Sequence, residues 1–173
     1  MPACGPVDAR LLIVGLAPGL HGANRTGVPF TGDASGDWLF AALEQFQLTS
    51  QCRITNAVKC LPPANLPNKT ELRRCSAYLQ EEILRHQQNP GPVLVVLGGV
   101  AHKAVLRAMG HTAGDFPFYH GASTELGGMK IFASYHCSRY NTQTGRLTRD
   151  MFNGVFGEVS TVINQWQICH HPD

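Results

Sequence analysis

A parallel α/β sheet covered by helices on both faces is the fold this sequence predicts. Three observations carry that prediction. Short apolar runs at 11–17, 54–58, 93–97 and 130–134 read as buried strands. Stretches with a helical period follow them, so strand and helix alternate four times. Each run also stops at a polar or glycine-rich cluster, and ligands of such sheets bind beyond the carboxyl ends of the strands. The expectation is one three-layer domain over 1–173, with a short, mostly parallel central sheet.

The elements follow in chain order. After the first strand, 18–34 reads as a long glycine-rich loop, and Ser35 as the cap of a helix with Trp38, Leu39, Ala42, Leu43 and Phe46 on one face. The second strand passes through Thr55-Asn56. Three prolines between Leu61 and Pro67 then enforce a loop, because each removes a backbone donor and fixes φ. Thr70 is the expected cap of a helix carrying Leu72, Cys75, Leu79 and Ile83. Gly98-Gly99 closes the third strand and leads into a helix reaching about Met109. Residues 110–128 show no clear period and read as turns with room for an edge strand. From Thr148 a last helix places Met151, Phe152, Val155, Phe156, Val159, Val162, Ile163 and Trp166 on its buried side.

Composition sets the outer bounds. An apolar fraction of 43% and 15% charged residues exclude a disordered polyelectrolyte. A net charge of +2 says little about partners, but the positive charge is local: Arg139, Arg146 and Arg149 follow His136 with no acid between. Residues 1–10 lack the pattern of a secretory signal, and the run from Leu11 is too short for a bilayer. Six scattered cysteines do not make a small disulfide framework. A cytoplasmic, nucleoid-associated monomer without a membrane partner is the expectation.

The chemistry-bearing residues gather at the predicted strand ends: Ala17 to Asp33, Asn56, Gly98-Gly99 and His136 to Arg146. A flat aromatic, a carboxylate, an imidazole and several arginines there suit a planar polar ligand carried on a phosphate backbone. No Walker loop, dinucleotide fingerprint or serine elbow is present, which disfavours nucleotide-cofactor and serine-hydrolase chemistry.

Three segments carry a resemblance: Gly15-Leu16-Ala17-Pro18-Gly19, the loop Asn24-Arg25-Thr26-Gly27 through Pro29-Phe30-Thr31-Gly32-Asp33, and Tyr135-His136-Cys137-Ser138. Together they resemble the motifs of the uracil-DNA glycosylase superfamily. The run Asn141-Thr142-Gln143-Thr144-Gly145-Arg146-Leu147-Thr148 resembles its type B, or fifth, family of bacteria and archaea. The resemblance implies a monofunctional DNA repair glycosylase. Such an enzyme flips a deaminated base (uracil, and in this family often hypoxanthine, xanthine or related purines) out of the duplex and cuts its bond to deoxyribose.

On that resemblance Phe30 would stack on the flipped base, and Asn56 would read its edge, since an amide both donates and accepts. A turn role for Asn56 stands beside that reading. His136 would stabilise charge growing on the leaving base. Many relatives place Asn or Asp at the third residue of the first motif to position water; this chain has Ala17 there. Asp33 is therefore the candidate carboxylate, with helix capping as its other reading. Gly98, Gly99 and Ser138 suit phosphates, Arg139 and Tyr140 stand where relatives wedge the duplex, and Arg146 adds charge for DNA.

The resemblance also raises a [4Fe–4S] cluster, which takes four thiolates. The spacing of Cys60 and Cys75 resembles the second pair of that set. Nothing matches the first pair, which normally lies upstream of the first strand; either the start is truncated or the cluster has been lost. Cys75 can equally be a buried residue of its helix face. Two rivals to the glycosylase remain: a non-catalytic damaged-DNA-binding module with the same pocket, and a nucleotide or nucleoside hydrolase that ignores duplex.

Overall fold

The computed structural model describes residues 1–170. Five strands form one sheet in the order β2-β1-β3-β5-β4. They are β1 (Leu11–Gly15), β2 (Cys52–Asn56), β3 (Val93–Leu97), β4 (Ser123–Leu126) and β5 (Met129–Ser134). All pair in parallel except β4, which runs antiparallel to β5 at the edge. The helices are α1 (Ala23–Thr26), α2 (Ala34–Gln45), α3 (Lys69–His86), α4 (Gly99–Ala108), α5 (Arg139–Gln143) and α6 (Arg149–His170).

Strand alternation divides the core in two. Leu11, Ile13, Val93, Val95 and Phe132 pack with Leu39 and Leu43 of α2 and with Phe152, Phe156 and Ile163 of α6. Leu12, Val14, Leu94, Val96 and Ile131 pack with Leu79 and Ile83 of α3 and Val105 of α4. β1, β3 and β5 are therefore covered on both faces and read as continuous apolar runs, whereas the edge strand β4 alternates between exposed and half-buried residues. Each such buried side chain contributes roughly 1.5–3 kcal/mol. That burial holds the strand ends in register.

The topology locates the crevice. From β1 the chain crosses to β2 on one side, then returns past β1 to β3 on the other. The connections diverge between β1 and β3, and that divergence opens a gap at the carboxyl ends of those strands.

Several boundaries differ from the sequence reading. β1 stops at Gly15, although pairing continues as Val58 N–H donates to Leu16 O at 2.9 Å. β2 begins at Cys52, earlier than expected. The glycine-rich loop contains the short α1. Asp33, not Ser35, caps α2, its side chain accepting from Gly36 N–H. Asn68, not Thr70, caps α3, in a reciprocal box with Glu71 that satisfies two otherwise orphaned donors. The segment after His136 forms α5, with Ser138 as its cap. Trp166 is only half-buried, with the Arg10 guanidinium 4.2 Å from its ring centroid.

Candidate active site at the carboxyl edge of the sheet

A cleft of about 560 Å³ opens at this gap. Ala17, Phe30, Asp33, Asn56, Gly98, Gly99, His136, Ser138 and Arg146 all line it. Residues from opposite ends of the chain thus meet at one place because β1, β2, β3 and β5 end side by side.

Gly15 organises the floor. A Cβ there would lie 2.5 Å from both Asn56 Oδ1 and the edge of the Phe30 ring, so only glycine lets the two side chains close over the end of β1. Phe30 itself holds φ at +56°, a left-handed conformation that costs a non-glycine residue free energy. Its buried ring stacks on His136, with centroids 5.7 Å apart and planes at 29°. Asn56 is buried beside them, at the last position of β2.

Burial dominates the electrostatics of His136, pushing its pKa down to about 4 while the Asp33 carboxylate pulls weakly the other way. The imidazole is neutral at pH 7. Its Nδ1 is shut away from solvent, which leaves the Nε2 edge as the polar face toward the cleft. Asp33 uses its two oxygens differently. Oδ1 accepts from Gly36 N–H at 3.0 Å, whereas Oδ2 lies over Gly22 so closely that a Cβ there would overlap it. Cap and cleft-facing carboxylate are thus one residue.

The loop carrying His136 is braced from behind. Asn141 Nδ2 donates to His136 O at 2.8 Å. The backbone N–H of Tyr135 donates to His120 Nδ1 at 3.1 Å, so the His120 proton sits on Nε2 and points at Met151 O, 3.2 Å away. His120 stacks on Tyr135 at 5.0 Å, and the Arg146 guanidinium lies 4.8 Å from the Tyr135 ring centroid. Ser138 Oγ accepts from Asn141 N–H, which leaves its own proton free to donate. Arg139 and Tyr140 do not line the cleft; they open α5, exposed, next to it. Arg149 stacks on Trp38 at 3.9 Å.

Residues 2–159 match the sequence profile of the uracil DNA glycosylase superfamily. The chain belongs to that superfamily. It is similar to the type-5 uracil-DNA glycosylase of Thermus thermophilus, 44% identical over 91% of this chain and 78% of the relative. The counterpart from Pyrobaculum aerophilum is 42% identical over 86% of this chain and 70% of the relative. A type-4 uracil-DNA glycosylase of the same archaeon is 35% identical over 65% and 56%.

Cys60 and Cys75 line one surface depression near Met1 and Pro2, away from the cleft. Cys4 instead bridges to Ile54, and Cys52 is buried. Among the described residues no three potential metal ligands gather anywhere. Cys60 and Cys75 supply two of the four thiolates that a [4Fe–4S] cluster takes, and no other cysteine among the described residues joins them. The buried Cys137 thiol, pushed up to about 12 chiefly by burial, donates to Ser35 O and is inert.

Sequence reading missed Phe118 and His120, which sit in the aperiodic 110–128 segment. Phe118 lines the cleft and packs edge-tilted against Tyr135 at 6.0 Å. The aromatic-rich run Phe116-Pro117-Phe118-Tyr119-His120 in an otherwise patternless stretch was the available signal. Among the described residues no helix is long and apolar enough to cross a membrane.

Proposed function

We propose that this chain is a DNA repair enzyme of the fifth uracil-DNA glycosylase family, acting on uracil and on deaminated purines such as hypoxanthine and xanthine. One observation carries the reading: Phe30, Asn56, Asp33 and the neutral His136 converge on a single cleft with room for a base. A target base must leave the stack to reach such a recess, at a cost of a few kcal/mol. Phe30 and Asn56 both line the recess, the ring to stack on the base and the amide to donate to and accept from its edge.

In the reaction the C1′–N bond breaks and its electron pair leaves on the base, while the sugar takes oxocarbenium character. The neutral His136 donates to the base oxygen as negative charge grows there. The Asp33 carboxylate, anchored through Oδ1, keeps Oδ2 toward the cleft to steady the cationic sugar or orient the water. Water adds its oxygen to C1′ and loses a proton to solvent, and the departing base anion takes one up, so charge balances overall. Gly98, Gly99, Ser138 and Arg146 hold phosphates around the lesion, and Arg139 with Tyr140 fills the gap in the duplex.

Ala17 favours a second reading, because no polar side chain stands where many relatives position water. A non-catalytic damage-binding module would use the same recess. Incubation with a duplex holding one uracil, followed by alkaline strand scission at abasic sites, separates the readings. The glycosylase yields abasic sites; the binding module retards the duplex without them; a nucleoside hydrolase leaves the polymer untouched.

A further inference from the structure

A second depression, of about 340 Å³, lies between α3 and α4, and Val100 is shared between its wall and that of the active-site cleft. Lys69 and Arg73 of α3 and Lys103 and Arg107 of α4 line it over an apolar floor that includes Leu72 and Leu79. No acidic residue lines it, and α4 contains none. All four cations are exposed, and none joins an ion pair among the described residues. Four of the fourteen Lys and Arg residues of a chain with net charge +2 therefore stand together unneutralised. One sign of charge over a low-dielectric floor focuses its field outward and attracts a polyanion.

Continuity decides which polyanion. The α4 helix begins at Gly99, inside the cleft where a phosphate next to the lesion is expected. At a rise of about 1.5 Å per residue, Lys103 stands about 6 Å and Arg107 about 12 Å farther along the same helix. A DNA strand advances about 3.4 Å per nucleotide, so a backbone leaving the cleft past Val100 meets these cations within about two to four nucleotides. Leu72, Val100 and Ala104, the accessible part of the apolar lining, then face deoxyribose C–H groups, and the cations face phosphates.

We propose that the α3–α4 groove is a second DNA contact, holding the phosphodiester backbone of the same duplex about two to four nucleotides beyond the flipped base. This rests on the DNA-glycosylase reading above. The groove sets affinity and grip on the flanking arm, carries no base information, and lies outside the chemistry.

The test compares the full chain with Lys103→Ala/Arg107→Ala. Equilibrium binding is measured against salt on a long uracil duplex, and on duplexes trimmed close to the uracil from one side and then from the other. On the long duplex the log–log salt slope should shrink by about two in the double variant, one for each phosphate contact removed. On the duplex trimmed along the groove side, variant and parent should bind alike. A charge-keeping variant, Lys103→Arg/Arg107→Lys, should retain the parent slope, which separates charge from folding. An unchanged slope on the long duplex overturns the proposal; so does an equal loss on every trimmed duplex. A groove built for an acidic protein partner gives the first of these results. Binding does not depend on cleavage, so a parent protein that forms no abasic sites would defeat the glycosylase reading while the slope still judges the groove.

Discussion

His136 shows how one residue acquires its chemistry from its surroundings. Burial against the Phe30 ring and its neighbours lowers the pKa of the imidazole to about 4, against the opposing pull of Asp33, and keeps it neutral through the physiological range. A neutral donor at a growing anion acts on the transition state more than on the bound substrate. His136→Ala should therefore lower the single-turnover rate on uracil duplex roughly a hundredfold to a thousandfold, with little change in duplex affinity. A near-parental rate from a folded His136→Ala protein would show that the site has been placed wrongly. Gly22 offers a second probe, because a methyl group there occupies the space of Asp33 Oδ2. Gly22→Ala should displace the carboxylate and slow turnover by roughly a hundredfold, the scale of a misplacement of about 1 Å. Rates unaffected by that methyl would mean the position of Oδ2 is immaterial.

At the scale of elements, the ends of helices do the positioning. Asp33 is both the cap of α2 and the cleft carboxylate, so a truncation confounds stability with catalysis. Asp33→Asn separates them. Asparagine caps a helix about as well as aspartate, so the thermal midpoint should hold while the charge disappears. Single-turnover rates should fall if the charge steadies the sugar cation; an Asn variant as fast as the parent would leave Asp33 as a cap alone. The α5 helix works similarly for His136: Ser138 caps it, and Asn141 reaches back from its interior to the His136 carbonyl. A short helix thereby braces the loop that bears the imidazole.

Across the whole molecule, His86, His102, His120 and His136 all have lowered pKa values, burial being the first cause in each. In the unfolded chain such imidazoles take protons near pH 6.5. The native state thus binds fewer protons than the unfolded state below that value, and stability falls as pH falls. For His136 the loss runs from about 6.5 down through about 4. Thermal midpoints recorded between pH 7 and pH 4.5 should decline, and His136→Ala should flatten the decline. A midpoint that stays level or rises on acidification contradicts this account.

Much of the architecture was legible locally. Val93–Leu97 announces itself as a strand, since five consecutive apolar residues need cover on both faces, and the period of α2 exposes its buried stripe. The motif residues Phe30, Asp33, Asn56 and His136 were legible too, as types set at predicted strand ends. Cap positions were less so. Ser35 and Thr70 are acceptable capping residues, and only backbone geometry chooses Asp33 and Asn68 over them. Tertiary structure alone decided the rest. It placed β1 between β2 and β3, brought Phe30 and Asn56 together over Gly15, buried His136 enough to keep it neutral, and recruited Phe118 and His120 from a segment without period. Periodicity records what a residue shares with its neighbours along the chain. A cleft is made by strands paired across tens of residues, and the burial that sets a pKa exists only after they have paired.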